Sequence, residues 1–231
     1  MAGSKRKAIT LGIALTMAAA HAQAAVVLSE GFDSVAGLGG AGWVLTNESS
    51  PVGTTGWFQG NSGVFPAHSG AADSYVAANF ENAAPGGAIS NWLITPEISL
   101  DGNVKLSFWT RTESGSPFAD RLEVRLSDSG GASNTASFDT LLLTINLALA
   151  VGLYPETWTE FTTNFGGAGV GATGRLALRY TVDDNSVNGN YIGVDTLSID
   201  VSSNAVPEPA SLAMTTLALA GLALTRRRRR C

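Results

Sequence analysis

The middle of the chain alternates. Between Arg121 and Ser127, Leu122, Val124 and Leu126 fall on one face, and Arg121, Glu123, Arg125 and Ser127 on the other. Residues 175–182 repeat the pattern, with Leu176, Leu178, Tyr180 and Val182 set against Arg175, Ala177, Arg179 and Thr181. A period of two with one apolar face marks a strand that covers a core on one side and meets water on the other. Residues 104–111 are less polarised: Leu106 and Phe108 point one way and Trp109 the other. Shorter runs at 26–28, 43–45, 75–78, 89–94, 141–145, 158–165 and 192–201 complete the expected strands. The last run changes phase. Ile192 and Val194 sit on even positions, whereas Leu197, Ile199 and Val201 sit on odd ones. A one-residue slip in a period-two pattern requires a bulge or bend, here at Asp195–Thr196.

Turn-forming clusters separate these runs, among them Asp101-Gly102-Asn103, Ser127–Gly131, Phe165-Gly166-Gly167 and Asn188-Gly189-Asn190. No window between Ala25 and Ala205 sustains a 3.6-residue period. Leu141–Val151 is apolar enough to suggest a helix, but Pro155 and the neighbouring strands favour sheet. The pattern predicts an all-β domain over residues 25–204: two packed antiparallel sheets, a β-sandwich or jelly roll.

The two ends break the alternation. Lys5-Arg6-Lys7 precedes an apolar run from Ala8 to Ala20, and Ala22-Gln23-Ala24 follows it. A basic start, a short apolar run and an A-x-A site describe a secretory signal peptide over residues 1–24. Export by the Sec machinery and cleavage by signal peptidase would leave Ala25 first. At the other end, residues 205–231 hold Val206-Pro207-Glu208-Pro209, a charge-free stretch from Ala210 to Thr225, and Arg226, Arg227, Arg228, Arg229 and Arg230 before Cys231. Pro207 and Pro209 keep their segment extended. The apolar stretch is marginal for a spanning helix, which needs about 20 residues. The arginines would stay on the cytoplasmic side. This order resembles the PEP-CTERM signal of Gram-negative bacteria. The resemblance implies a single hydrophobic sorting helix held transiently in the inner membrane and an exosortase-type transpeptidase as processing partner. An uncut single-pass anchor is the plainer alternative.

Setting both ends aside changes the charge. The central domain holds six basic residues against 18 acidic ones. A strongly acidic surface argues against nucleic acid and anionic lipid as partners. No cysteine remains in it, so no disulfide can hold it together.

Several blocks in order carry a second resemblance: residues 73–80, Asp-Ser-Tyr-Val-Ala-Ala-Asn-Phe; 89–96, Ile-Ser-Asn-Trp-Leu-Ile-Thr-Pro; 106–111, Leu-Ser-Phe-Trp-Thr-Arg; 120–125, Asp-Arg-Leu-Glu-Val-Arg; and 191–195, Tyr-Ile-Gly-Val-Asp. Together they are similar to the choice-of-anchor J domain, a relative of cleaved-adhesin and MAM-like modules. The likeness spans most of residues 28–201. It implies a jelly-roll sandwich and leaves the ligand open.

Candidate chemistry is sparse. His68 is the one histidine outside the signal segment, in the loop-like Phe65–Gly70, and no G-x-S-x-G elbow accompanies it. With no cysteine beside it, zinc sites and Cys–His catalysis are excluded. With 18 acids, paired carboxylates arise by chance and do not single out a glycosidase. Glu123, Glu160 and Asp200 read as outward, solvated strand positions. In MAM-like sandwiches the first and last strands are neighbours, so the resemblance would bring Glu30 and Asp33 near Asp195, with Asp73 adding an oxygen. Such a set could hold a structural Ca²⁺. The plainer alternative is that Glu30 and Asp33 border a turn and Asp195 accepts backbone hydrogen bonds.

Five tryptophans lie in the domain, and Trp57-Phe58-Gln59-Gly60-Asn61 joins aromatic, amide and glycine in one loop. Trp57, Gln59 and Asn61 are therefore candidate glycan contacts, with core packing the alternative for the indole. The Asp183–Ser186 turn offers polar edges of the same kind. The expected role is a non-enzymatic adhesin or exopolysaccharide-associated module at the cell surface or in the matrix. A dedicated carbohydrate-binding module is the alternative, and a glycan-active enzyme comes third.

Overall fold

The computed structural model describes residues 24–202. Residues 1–23 and 203–231, which hold Ala22, the Val206–Pro209 motif and Arg226–Arg230, lie outside the described residues. The strands in chain order are β1 (Ala24–Glu30), β2 (Val44–Asn47), β3 (Ser50–Val52), β4 (Phe58–Gln59), β5 (Val76–Asn79), β6 (Ala83–Ile94), β7 (Ile98–Ser99), β8 (Asn103–Thr112), β9 (Leu122–Ser127), β10 (Thr140–Ile145), β11 (Thr159–Gly166), β12 (Thr173–Val182) and β13 (Tyr191–Ser202). They form two antiparallel sheets. One runs β11-β8-β13-β5-β4 with β1 also on β13; the other runs β10-β9-β12-β6-β2 with β3 on β6 and β7 on β12. Among the described residues no helix is long and apolar enough to cross a membrane.

The alternation of the sequence is the inside–outside alternation of these strands. Leu106, Phe108, Ile192, Val194, Leu197 and Ile199 of the first sheet face Leu93, Leu122, Val124, Leu176, Leu178 and Tyr180 of the second, and all are buried in one core. Phe108 is 0 % exposed while Trp109 lies half-buried on the outer face, as the weak polarity of that segment required. The phase slip in β13 is a register shift between Asp195 and Ser198 against β8. Thr196 at the slip has φ 49°. A β-branched residue seldom adopts that conformation. The Asp195 carboxylate compensates, because its Oδ1 accepts the Thr196 N–H at 2.5 Å.

The two outer faces differ. The seven-stranded sheet is covered by its own chain. Phe138 packs on Trp92 at 6.0 Å, and the Arg179 guanidinium lies 5.0 Å above the Trp92 ring. Glu123 takes Arg125 at 2.7 Å and Arg179 at 3.3 Å. Glu123 is therefore not the solvated strand position expected from sequence. The segment that crosses above the sheet turns it into a partly buried ion cluster. On the six-stranded sheet the loop that holds Phe65 and His68 covers Arg111 and Trp109 of β8, and among the described residues nothing comparable covers β11, the first half of β8 or the second half of β13.

The ends of the sandwich also differ. Ala24 pairs with Ser202, Ser202 with Asn103, and Asn103 with Gly166. The described chain thus enters and leaves at one end. The loops after β5, β8, β10 and β12 stand at the opposite end, where Thr112 pairs with Ile192 and Tyr191 with Asn79.

Candidate functional site

Residues expected to form two separate sites meet in one scaffold beside the β13 bulge. Gln59 lies at its centre. Its Nε2 donates to the carbonyls of Phe32 at 2.9 Å and Asp73 at 2.7 Å, and its Oε1 accepts the Val35 N–H at 2.9 Å. Every polar atom of that amide is thus spent on tying three segments of chain together. Asn61 donates its N–H to the hydroxyls of Tyr75 at 2.9 Å and Tyr191 at 3.1 Å. Its Oδ1 accepts the Gly63 N–H at 2.9 Å. Trp57 is 7 % exposed and belongs to the main core, so its indole has no free face. Core packing, the alternative for this tryptophan, is what the structure has.

The carboxylates are placed as follows. Asp195 is 0 % exposed. Its Oδ2 accepts the N–H groups of His68 at 2.8 Å and Ser69 at 3.0 Å, which fastens the 66–70 loop to β13. Burial pushes its pKa up against the pull of these donors and of Thr196. Glu30 Oε1 accepts the Phe32 N–H at 2.8 Å. Glu30 and Asp33 line a cavity of about 260 Å³ with Ser69, Gly70 and Thr196. Asp73 turns its carbonyl, rather than its carboxylate, to Gln59. Among the described residues no three acidic, imidazole or thiol groups converge where a metal ion would sit. The four acids do not make a preassembled Ca²⁺ shell in this arrangement: Asp195 is saturated by its own chain, and only two of the others share a cavity.

The fastened loop presents His68. The imidazole is exposed and stacks on Trp109, with ring centres 3.9 Å apart and planes 14° apart. Its Nδ1 lies 3.1 Å from Thr196 Oγ1. Below it, Phe65, Tyr75, Tyr191 and Trp158 form a compact aromatic group. Gly193 makes room for that group, since a Cβ there would come within 2.9 Å of Phe65, Trp158 and Tyr75.

Residues that sequence reasoning passed over stand at the far end of the sandwich. Phe80 is 47 % exposed and Phe118 42 %. A cavity of about 460 Å³ lies among Val52, Phe80, Glu81, Ala83 and Asn185, and one of about 220 Å³ adjoins it between Phe80, Phe118, Ser186 and Asn190. Asn185, in the turn singled out from sequence, lines both cavities and ties their walls together. Its Nδ2 donates to the carbonyls of Phe80 and Ala83, both at 2.9 Å, and its Oδ1 accepts the Gly87 N–H at 3.0 Å. Only the fold brings Phe80, the last residue of the 73–80 block, together with Phe118.

Asp120, at 0 % exposure, supports this end from below. Its Oδ1 accepts from the Tyr180 hydroxyl at 2.6 Å and the Asn190 N–H at 2.8 Å. Its carbonyl accepts from Asn146 Nδ2 at 2.8 Å. Burial raises its pKa.

No family model matches the chain, and no curated protein matches it. Solved structures do. The chain is similar to the K1 cleaved adhesin domain of Lys-gingipain from Porphyromonas gingivalis W83, with 21 % identity, 77 % of this chain and 98 % of that one covered, and a TM-score of 0.57. The K3 cleaved adhesin domain of the same protein gives 23 % identity, coverage of 77 % and 99 %, and a TM-score of 0.56. The K2 domain gives 22 %, 74 % and 96 %, and 0.54. At these identities the likeness establishes a cleaved-adhesin-like β-sandwich fold.

Proposed function

We propose that this protein is an exported adhesion module of a Gram-negative cell surface or extracellular matrix, acting through the end of the sandwich that carries Phe80 and Phe118. One observation carries the reading. Ala25 is paired with Val201, so the first and last strands of the domain share one end, while the cavities lined by Phe80 and Phe118 open at the other. A tether at either terminus therefore holds those cavities outward. Delivery rests on the sequence. Residues 1–24 direct export and are removed, the Val206–Pro209 motif engages an exosortase-type enzyme, and Arg226–Arg230 hold the apolar tail at the inner membrane until it is processed.

The role is binding rather than catalysis. The acids whose environment raises their pKa, Asp120 and Asp195, are both fully buried and face their own chain. A catalytic acid or base needs its proton within reach of substrate. The sandwich fold shared with the gingipain adhesin domains supports the same reading by analogy. The test is retention of purified residues 25–204 on matrix isolated from the producing cells. The wild type is expected to be retained and Phe80→Ser/Phe118→Ser to be lost, with unchanged circular dichroism. Equal retention of both proteins would overturn the reading.

A further inference from the structure

The outer face of the six-stranded sheet has the composition of a site. Strand register lays its side chains out in rows. Glu160 and Trp109 form the first, beside the His68 stack. Thr162, Ser107, Ser198 and Ser29 form the second, and Asn164, Lys105, Asp200 and the exposed Val26 the third. Beyond them a cavity of about 430 Å³ opens between Lys105, Asn164, Asp200 and Ser202. The floor is of small hydroxyls. One end is an exposed ring platform, and the other holds an amide, an ammonium and a carboxylate.

Three observations separate this face from ordinary wet sheet. First, the opposite sheet of the same molecule closes its outer face with Phe138 and an ion cluster, so bareness here is not general to the fold. Second, the ion pairs among the described residues are Arg121–Asp183, Arg125–Glu123 and Arg179–Glu123; Lys105 and Asp200 sit on adjacent strands in register without forming one. Third, the ring platform is preorganised. Asp195 fixes the backbone of His68 and Ser69, and Trp158 Nε1 donates to the Pro66 carbonyl at 2.9 Å, so the loop holding the imidazole is anchored on both sides. A preorganised platform binds with less ordering cost than a mobile one.

We propose that this face is a second binding site, distinct from the far-end cavities, and that it takes a neutral polysaccharide chain running along the strands. The chemistry selects that class. Flat rings stack on the C–H faces of sugars. Hydroxyl, amide, ammonium and carboxylate groups supply the donors and acceptors that sugar hydroxyls exchange. Small side chains leave room for a chain to lie against the sheet. Eighteen acids against six bases in the domain disfavour polyanions. The proposal depends on the reading above only in requiring a ligand outside the cell.

Affinity electrophoresis of residues 25–204 tests it, with galactomannan, mixed-linkage β-glucan, xyloglucan and the producing cells' own neutral exopolysaccharide as probes and alginate as the anionic comparison. Retardation is expected in at least one neutral gel and not in alginate. His68→Ala, which removes the exposed ring, and Thr162→Arg, which blocks the trough from the exposed edge strand β11, are each expected to reduce retardation at least tenfold. Both positions are exposed. No retardation in any neutral gel overturns the proposal, as does full retardation of both variants. Matrix retention that persists while gel retardation is absent would sink this proposal and spare the far-end reading; the converse pattern would do the reverse.

Discussion

Asp120 Oδ2 and Thr112 Oγ1 lie 2.6 Å apart, and the same hydroxyl is 2.9 Å from the carbonyl of Tyr191. Thr112 has a single proton to give, and a carbonyl can only accept. A protonated Asp120 that donates to Thr112, which then donates to Tyr191, gives each contact its own proton. Burial favours the same state by raising the acid's pKa. The Asp120 carboxyl thus joins β8, β12 and the start of β13 beneath the far-end cavities.

A pH dependence follows from that proton. The folded-state pKa of Asp120 is raised above its unfolded value, so its contribution to stability is full below the unfolded carboxylate range and is lost as pH rises through the folded pKa. Urea melts should show stability falling as pH climbs from the carboxylate range. Asp120→Asn, which copies the neutral acid's donor and acceptors, should flatten that fall and cost under about 1 kcal/mol. Asp120→Ala should cost about 3 kcal/mol by leaving buried partners unmet. A slope unchanged in Asp120→Asn would refute the assignment.

Asp195 should answer the same substitution differently. Its two oxygens receive the N–H groups of His68, Ser69 and Thr196. An amide in its place turns one NH₂ group toward a donor. Asp195→Asn is therefore expected to destabilise by about 2–3 kcal/mol, to free the 66–70 loop to proteolysis, and to change the fluorescence of Trp109 as His68 leaves it. A variant with normal stability and an intact loop would contradict the role given to this carboxylate.

Gly193 carries no Cβ because three aromatic rings occupy the space. Gly193→Ala should cost about 1–3 kcal/mol through overpacking, read as a lowered melting temperature. Gly193 stands between Ile192 and Val194, both 0 % exposed, so displacing the rings disturbs the strand as well. A neutral substitution would show that the rings move aside freely.

Calcium is decided by titration. As arranged, Glu30 and Asp33 share a cavity from which the Asp195 carboxylate is engaged elsewhere, so added Ca²⁺ or excess EDTA is expected to leave the melting temperature within about a degree. A rise of several degrees with Ca²⁺, abolished by Glu30→Gln, would mean that Glu30 and Asp33 turn together onto an ion.

The sandwich was legible because its signal is local. Leu122, Val124 and Leu126 announce a one-sided strand without reference to any partner, and the parity change in β13 announces its bulge. The sites were less legible, since the fate of a polar group depends on what stands opposite. Gln59 beside Trp57 looks the same in sequence whether its amide faces a sugar or, as here, the carbonyls of Phe32 and Asp73. Glu123 reads as a solvated position until the 132–139 segment is seen crossing above it. Phe80 and Phe118 are unremarkable singly; only the antiparallel pairing that sets the far end of the sandwich gives them a common hollow. His68 and Asp195 were each noticed, but their contact spans 127 residues of sequence and no spacing encodes it.

The most direct test of the whole account is the intact mass and location of the native protein in its producing cells. Export and adhesion predict a species beginning at Ala25, lacking the arginine tail, and recovered in the surface or matrix fraction. A full-length species from Met1 to Cys231 in the cytosol would contradict it.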